Sequence, residues 1–210
     1  MSRVPSSDRP GRRQRGVTLI VVLLILVVVT LLGIGGAQIA LLGERSTRYD
    51  RDYLVASQAA EAALMDAEFD IRGPVDAAAS GVNRVAQFNQ TNLGVFVPGC
   101  GNNGGTRGLC EPYADNVKPV WATVDFLDQS ATAPSVAFGT FTGRSFDAGS
   151  TGIKPERVPR YIIELIDDAT PGGSAAGGKV AKMYRVTAIG FGPRTDIQVV
   201  MQIAFRKEKG

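Results

Sequence analysis

The sequence predicts an α+β fold in which one long N-terminal helix lies on an antiparallel sheet. An uncharged apolar run covers residues 17–43, an amphipathic pattern with steps of three and four residues continues over residues 44–73, and β-prone runs occupy the C-terminal end. The chain therefore divides into a basic leader (1–16), a transmembrane helix (17–43), an amphipathic helix (44–73) and an antiparallel-sheet domain (74–210).

The apolar segment follows directly on the leader, and the junction falls on a glycine. The leader ends in Arg12-Arg13-Gln14-Arg15-Gly16, and the apolar run begins at Val17. About 18–20 apolar residues are enough to cross a bilayer. A secretory signal has an apolar region of about 7–15 residues and a small-residue cleavage site after it. Here the apolar region is longer and the small residue precedes it, so we predict a membrane-spanning helix and not an ordinary secretory signal.

The basic character of the chain belongs to the leader. The whole chain has 23 Lys and Arg against 20 Asp and Glu, a net charge of +3, and residues 1–16 hold five arginines and one aspartate. Removing this leader of net +4 leaves a mature chain of net −1. Positive residues stay cytoplasmic, so we expect a cytoplasmic N-terminus and a periplasmic C-terminal domain. The same distribution argues against nucleic-acid binding, which needs a basic domain surface.

The amphipathic helix is rich in alanine on its apolar face. That face is formed by Tyr53, Ala56, Ala60, Ala63, Leu64, Ala67 and Ile71. The opposite face carries Asp50, Asp52, Gln58, Glu61, Asp66 and Glu68, and Gly73-Pro74 ends the helix. Thin side chains let another surface approach closely, so we predict that this face packs on the sheet. The alternative is an alanine-rich helix on the protein surface.

The sheet is predicted from runs of β-branched and aromatic residues. Residues 120–127 and 136–141 are candidate strands, residues 161–166 form a clearer one, and residues 182–191 and 197–206 form a closing hairpin joined by residues 192–196. Residues 172–178, Gly-Gly-Ser-Ala-Ala-Gly-Gly, are predicted to form a flexible loop.

The two cysteines, Cys100 and Cys110, predict a disulfide if the domain lies in an oxidising compartment. Closing so short a loop would stabilise the fold by roughly 3 kcal/mol in the chain-entropy model. Two unpaired thiols are the alternative. A metal site is disfavoured, because the chain has no histidine and only two sulfur ligands.

Very little in the sequence indicates catalysis, and we expect no cofactor. Without histidine there is no Ser-His or Cys-His pair, and the glycine-rich residues 99–108 lack the Gly-Lys-Ser/Thr of a phosphate-binding loop. Asp125 with Asp128, and Asp167 with Asp168, offer oxygen ligands but lack the spacing of a calcium-binding EF-hand loop. Solvated acids explain them better, and calcium binding stays open.

Three stretches resemble the PilX-type minor pilins of type IV pili. The Gly16–Val17 junction resembles a type IV prepilin leader, residues 56–68 are similar to the family's Q-A-A-E-A-A-L helix, and residues 184–190 with 199–202 are similar to its closing hairpin. The resemblance implies a pilin-like fold and a structural subunit. Prepilin peptidase would cut between Gly16 and Val17, and Val17 would become the N-methylated terminus.

The resemblance also implies where the subunit resides and what it meets. It would wait in the inner-membrane lipid and then join the pilus on the cell surface. Its partners would be prepilin peptidase, other minor pilins, the major pilin and the pilus assembly platform. With them it would prime or cap filament assembly, and at the tip it would serve adhesion or twitching motility.

One position departs from the family pattern. Most pilins have glutamate as the fifth mature residue, and this chain has Val21 there. That glutamate is thought to pair with a neighbouring subunit's terminal amine, and an unpaired acid in lipid costs about 2.5–3.5 kcal/mol on insertion scales. A subunit without such a neighbour has no reason to keep it. We therefore hypothesise that this subunit sits at or near the filament tip.

Gly33, Gly35 and Gly36 lie close together in the apolar helix. Glycine weakens a helix by about 1 kcal/mol relative to alanine, so the triplet is a candidate place for the helix to loosen and stretch in a packed filament. Close helix–helix packing by small residues is the equal alternative.

Two other functions fit parts of the sequence. A minor pseudopilin of a type II secretion system shares the leader, the helix and often the missing glutamate. A single-span, membrane-anchored binding protein would instead keep its N-terminus uncleaved.

Overall fold

The computed structural model describes residues 16–73, 83–89, 93–112, 118–147, 151–168 and 182–207. Most of the predicted leader, Pro74 and the predicted loop at 172–178 lie outside these ranges. The chain divides into two compact units, Met1–Arg48 and Tyr49–Gly210. The first contains the apolar part of the N-terminal helix, and the second contains the rest of that helix and the sheet.

The N-terminal helix, α1, runs from Val17 to Arg72 without interruption. It therefore joins the apolar and the amphipathic segments in one element of 56 residues. Gly73 follows the last helical residue with φ of +116°, and its N–H donates to the carbonyl of Phe69 at 2.8 Å. This left-handed backbone favours glycine and satisfies one of the carbonyls left free at a helix end.

Within the described residues, one sheet contains six strands: β1 (Val97–Pro98), β2 (Leu109–Glu111), β3 (Val136–Ala137), β4 (Arg160–Asp167), β5 (Lys182–Phe191) and β6 (Gln198–Phe205). Their order is β1-β2-β4-β5-β6. The short strands β2 and β3 share one edge of β4, and the hairpin β5–β6 lies along the other. The long helix and this sheet confirm the predicted α+β, pilin-like fold class.

The sheet is mixed, which corrects the prediction of an antiparallel sheet. β3, β4, β5 and β6 pair antiparallel, whereas β1 with β2 and β2 with β4 pair parallel. Parallel neighbours usually need a crossover connection of about a dozen residues or more. Residues 112–159 provide one between β2 and β4, whereas only residues 99–108 join β1 to β2. The parallel strands have only two or three residues each. Such short strands carry no periodicity that would reveal their direction.

The prediction of a strand at residues 120–127 is wrong. Residues Val120–Ala122 form a 3₁₀ helix, after which the Thr123 hydroxyl donates to the carbonyl of Val120 at 2.7 Å. Asp125 then accepts the N–H of Leu127 at 2.8 Å. These local side-chain bonds offer the backbone an alternative to a sheet ladder. The strand predicted at 136–141 ends at Ala137, because Gly139 adopts φ of +80° and turns the chain.

The other predicted strands are confirmed. β4 extends the predicted residues 161–166 by one residue at each end, β5 covers residues 182–191, and β6 lies within residues 197–206. Between β5 and β6 the Gly192 N–H donates to the carbonyl of Ile197 at 2.8 Å and closes the hairpin. These strands are long and rich in β-branched residues, so their signal was strong.

The alanine face of α1 packs on the sheet, as predicted. Ala56, Ala60, Ala63 and Ala67 have no exposed surface. The approach is closest at Gly190 of β5, where an added Cβ would lie 2.0 Å from the carbonyl oxygen of Ala56. Two positions were assigned to the wrong face: Tyr53 is 46% exposed and Asp66 is fully buried. The hydrogen bonds described below explain the burial of Asp66.

A second apolar cluster covers the opposite face of the sheet. Phe126 and Val120 pack with Ile162, Ile189 and Phe191 there, beside the two cysteines. This explains why residues 120–127 are apolar without forming a strand: they cover a sheet face that would otherwise be exposed. The sheet is therefore buried on both sides over β4.

Candidate functional site

Among the described residues of its unit, the apolar part of α1 has no protein to pack against. Its large apolar side chains from Val17 to Leu42 are between 45% and 75% exposed. The helix is long and apolar enough to cross a membrane, with a mean hydropathy of 3.3 over its best window and none of that window buried. So large an uninterrupted apolar surface requires lipid or other helices to cover it.

The predicted processing and assembly residues lie at the start of this helix. Gly16 stands immediately before α1, and Val17 is its first residue and 62% exposed. Val21 is 49% exposed and no acid occurs in the first turn. The helix start therefore carries no negative charge that could pair with a neighbouring amine.

The glycine triplet lies within the unbroken helix. A Cβ built on Gly33, Gly35 or Gly36 would meet nothing within 4 Å. No contact with the described residues therefore requires glycine at these three positions. Loosening of the helix and close packing with another helix both stay predictions.

The disulfide between Cys100 and Cys110 is present, which confirms that prediction. Cys110 is fully buried and Cys100 is 9% exposed. The bond closes the glycine-rich loop, inside which Gly108 N–H donates to the carbonyl of Gly101 at 2.9 Å. The loop lies against β4, because Ile163 N–H donates to the carbonyl of Gly108 at 2.8 Å.

Sequence reasoning missed a buried ion pair that joins α1 to the rest of the domain. Asp70 of α1 accepts two hydrogen bonds from Arg84 Nε, at 2.9 and 3.0 Å, and a third from Arg84 Nη2 at 2.5 Å. Both side chains are about 1% exposed. The hydroxyl of Tyr161 in β4 also donates to Asp70 at 2.8 Å. Burial raises the pKa of Tyr161 well above its ordinary value, so this hydroxyl keeps its proton for the bond.

Arg84 extends the same network into the disulfide loop. Its Nη1 donates to the carbonyls of Gly105 at 3.0 Å and Arg107 at 2.6 Å. Its guanidinium also lies 3.6 Å from the ring centroid of Phe141, within the range of a cation–π contact. One arginine therefore connects the helix, the disulfide loop and the segment after β3.

Asp66, one helical turn before Asp70, is the second buried acid of α1. It accepts a hydrogen bond from Gly139 N–H at 2.7 Å and one from the Thr142 hydroxyl. Arg144 stands 3.8 Å away and is partly exposed. Burial raises the pKa of Asp66 above its ordinary value of 3.8, and these partners only partly counteract it.

The raised pKa of Asp66 predicts a pH-dependent contribution to stability. A carboxyl group whose pKa is higher in the folded state than in the unfolded state adds to the stability of the fold when it is protonated. This contribution is fully present below about pH 4 and is lost as the pH rises through the folded-state pKa. The free energy of unfolding of the wild type minus that of Asp66→Asn should therefore fall as the pH rises from about 4. Denaturant unfolding at a series of pH values measures this difference.

Thr142→Val provides the matched comparison for Asp66. It removes a hydrogen bond that lowers the pKa of Asp66 and introduces no titrating group. When the wild-type Asp66 and the Asp66→Asn change are compared in a protein that carries Thr142→Val, the difference in the free energy of unfolding should continue to fall up to a higher pH. A difference between wild type and Asp66→Asn that rises with pH would contradict the assignment.

The acids considered for calcium form local structure instead. Asp125 and Asp128 each accept a backbone N–H two residues later, and Asp167 forms an ion pair with Lys182. In the part of the chain that the structure describes, no three potential metal ligands come together.

Comparisons with known proteins identify the family. The family model described as PilX N-terminal matches residues 15–64, and the one described as "Type IV pilus assembly protein PilX C-term" matches residues 100–207, just over half of the chain. No curated protein and no solved structure matches it. The two matches cover the exposed apolar helix at one end and the disulfide loop with strands β2 to β6 at the other. The chain therefore belongs to the PilX family of type IV pilus minor pilins.

Proposed function

We propose that this chain is a non-enzymatic minor pilin that is held in the inner membrane by residues 17–43 and then transferred into a pilus. The basic leader keeps the N-terminus cytoplasmic, so the sheet domain lies in the periplasm. Prepilin peptidase cuts between Gly16 and Val17 and Val17 is methylated. The other minor pilins, the major pilin and the assembly platform are the remaining partners.

The uncovered apolar surface of α1 carries this proposal. Its large side chains from Val17 to Leu42 are at least 45% exposed. Lipid covers this surface while the subunit is in the inner membrane, and the corresponding helices of other subunits cover it in the filament. Because apolar surface is buried in both places, packing and interhelical hydrogen bonds decide which state is preferred. A subunit of this kind can leave the membrane without exposing its helix to water.

A position at or near the filament tip follows from Val21. An uncharged residue there offers no partner for the terminal amine of a neighbouring subunit. The subunit would then prime assembly with other minor pilins, and its domain would be free to contact surfaces in adhesion or twitching motility. A labelled antibody that decorates the whole shaft of purified filaments, rather than one end, would refute this position.

Mass spectrometry of the protein extracted from membranes tests the processing step. The expected mature chain begins with N-methylated Val17. Gly16→Arg should keep the leader, whereas Gly33→Ala, a change with open space around it, should be processed like the wild type. A wild-type protein that retains Arg15 and Gly16 would show an uncleaved membrane anchor instead.

Deletion of the gene separates a pilus role from a secretion role. Loss of surface pili and twitching with intact protein export is the expected result. Loss of export with intact pili would indicate a type II secretion pseudopilin. Complementation with the wild-type chain should restore pili, and complementation with Gly16→Arg should not.

A further inference from the structure

The last strand of the sheet, β6, has an open edge in the part of the chain that the structure describes. β6 pairs with β5 over all of its eight residues. It ends the strand order, and no described strand pairs with its other side. At about 3.4 Å per residue, this edge is about 27 Å long. It is therefore long enough to pair with a further strand of ordinary length.

Two hydrogen bonds show which backbone groups of β6 point away from β5. In an antiparallel pair, residues whose N–H and C=O groups face the partner strand alternate with residues whose groups face away. The bond from Gly192 N–H to the carbonyl of Ile197 continues the β5–β6 register by one step, so odd-numbered residues of β6 face β5. Ile163 N–H donates to the carbonyl of Gly108, away from β5, and this requires the same alternation. The even-numbered residues of β6 therefore direct their N–H and C=O groups outwards.

These outward-facing residues are accessible. They are Gln198, Val200, Gln202 and Ala204, and all of them are exposed. Val200, a large apolar residue, is 47% exposed. Among the described residues, no hydrogen bond to their backbone N–H or C=O groups occurs outside the sheet. The edge therefore offers donors and acceptors in the regular spacing that another strand needs.

β6 lacks the features that usually protect a sheet edge from other chains. Natural edge strands carry charged residues or proline, are interrupted by a bulge, or are very short. The sequence of β6 is Gln-Val-Val-Met-Gln-Ile-Ala-Phe, without charge, proline or glycine. Its register with β5 continues one to one, without a bulge. An edge of this kind readily pairs with another polypeptide.

The two faces of β6 determine which strand fits beside it. Met201, Ile203 and Phe205 are partly buried and pack against the apolar cluster that contains the alanines of α1. The opposite face carries the exposed even-numbered residues, two of which are glutamines. Because an added strand continues both faces of a sheet, the best partner alternates apolar and polar residues and places its apolar side chains towards α1.

We propose that β6 binds an extended strand of a neighbouring pilin subunit, which it adds to the sheet. In this mode of recognition, main-chain hydrogen bonds provide affinity and alternate side chains provide specificity. The inference rests on the function proposed above, in which the chain assembles with other pilins. Family membership makes pilin domains the neighbours of this edge during assembly.

A proline at an outward-facing position tests the interface. Val200→Pro removes an N–H that points away from β5, so the β5–β6 pairing keeps its hydrogen bonds while an added strand loses one and meets the proline ring. Val200→Thr is the matched control, because it keeps the N–H and the shape of the side chain. The full chain is co-expressed with the major pilin and the other minor pilins of its pilus, and the complexes are purified in a non-ionic detergent.

The expected result is a loss of about tenfold or more in the recovery of at least one of these pilins with Val200→Pro. Recovery with Val200→Thr should equal that of the wild type. Thermal unfolding shows whether Val200→Pro is folded. If it is not, Ala204→Pro, which removes another outward N–H near the end of the strand, takes its place. Wild-type recovery with a folded proline variant would overturn the proposal.

A photocrosslinker locates the contact in cells. Benzoylphenylalanine in place of Ala204 should crosslink to one strand-forming peptide of a pilin. The same group in place of Glu111, an exposed residue of β2 towards the other side of the sheet, should not give this adduct. Adducts with a second copy of this chain alone, or with no pilin, would overturn the proposal.

The processing of the N-terminus separates this inference from the proposed function. If the chain begins with N-methylated Val17 and a folded Val200→Pro restores surface pili like the wild type, only the role of β6 is wrong. If the wild-type chain keeps its leader, the pilin function itself is wrong, and the inference fails with it.

Discussion

Replacing Gly190 with alanine should lower the free energy of unfolding by about 3 kcal/mol, the upper end of over-packing penalties. The added Cβ would lie 2.0 Å from the carbonyl oxygen of Ala56 and 2.3 Å from the backbone nitrogen of Ala60. These are main-chain atoms of α1, so no rotamer change can relieve the contact. Either α1 lifts from the sheet and its alanine face loses contact, or β5 shifts within the sheet.

Denaturant unfolding followed by the fluorescence of Trp121 measures this loss. Trp121 is the only tryptophan and packs against the second apolar cluster, on the face of the sheet away from α1. Gly94→Ala is the matched control, because its added Cβ meets nothing within 4 Å. If Gly190→Ala and Gly94→Ala are equally stable, the close approach of α1 to β5 at Gly190 does not contribute to the stability of the fold.

Replacing Asp70 with alanine should lower the free energy of unfolding by about 3–5 kcal/mol. The change leaves Arg84 buried without its carboxylate and removes the acceptor of the Tyr161 hydroxyl. Removing one partner of a buried pair is costly, because the remaining charge stays out of water. The same unfolding experiment measures the loss.

Two further variants show whether the charge is the cause. Asp196→Ala breaks an exposed ion pair with Arg194 and should change the free energy of unfolding by no more than about 0.5 kcal/mol. The double variant Asp70→Leu with Arg84→Met removes both charges and should be more stable than Asp70→Ala alone. If the double variant is as unstable as Asp70→Ala, the loss of stability comes from packing or from the lost contacts of Arg84 with the disulfide loop, and not from an unpaired charge.

The elements that could be predicted from the sequence are the long ones. The strands β4, β5 and β6 are runs of eight to ten residues rich in β-branched and aromatic side chains, and α1 combines a long apolar run with an amphipathic segment. The strands β1, β2 and β3 have two or three residues each, too few for any pattern. Their pairing is decided by contacts between distant parts of the chain, so the mixed character of the sheet could not be predicted.

The spacing of the buried acids of α1 indicates the buried side of the helix, but it does not show which residues they pair with. Asp66 and Asp70 are spaced by one turn, and Asp66 follows Ala63 by three residues, as Asp70 follows Ala67. They therefore lie on the side of the helix that the alanines bury. Because both side chains are polar, an exposed position is expected for them. Thr142, the partner of Asp66, is 76 residues away in sequence, and Arg84, the partner of Asp70, is 14 residues away. The sequence gives no indication of either pairing.

The burial of the Cys100–Cys110 bond determines when the bond can form and when it can be reduced. Thiol–disulfide exchange needs a thiolate to reach one of the two sulfurs. Cys110 is fully covered and Cys100 nearly so, while Arg84 clamps two carbonyls of the same loop. An oxidase must therefore act before the domain closes over the cysteines. After that, external reductants can attack the bond only when this part of the domain opens.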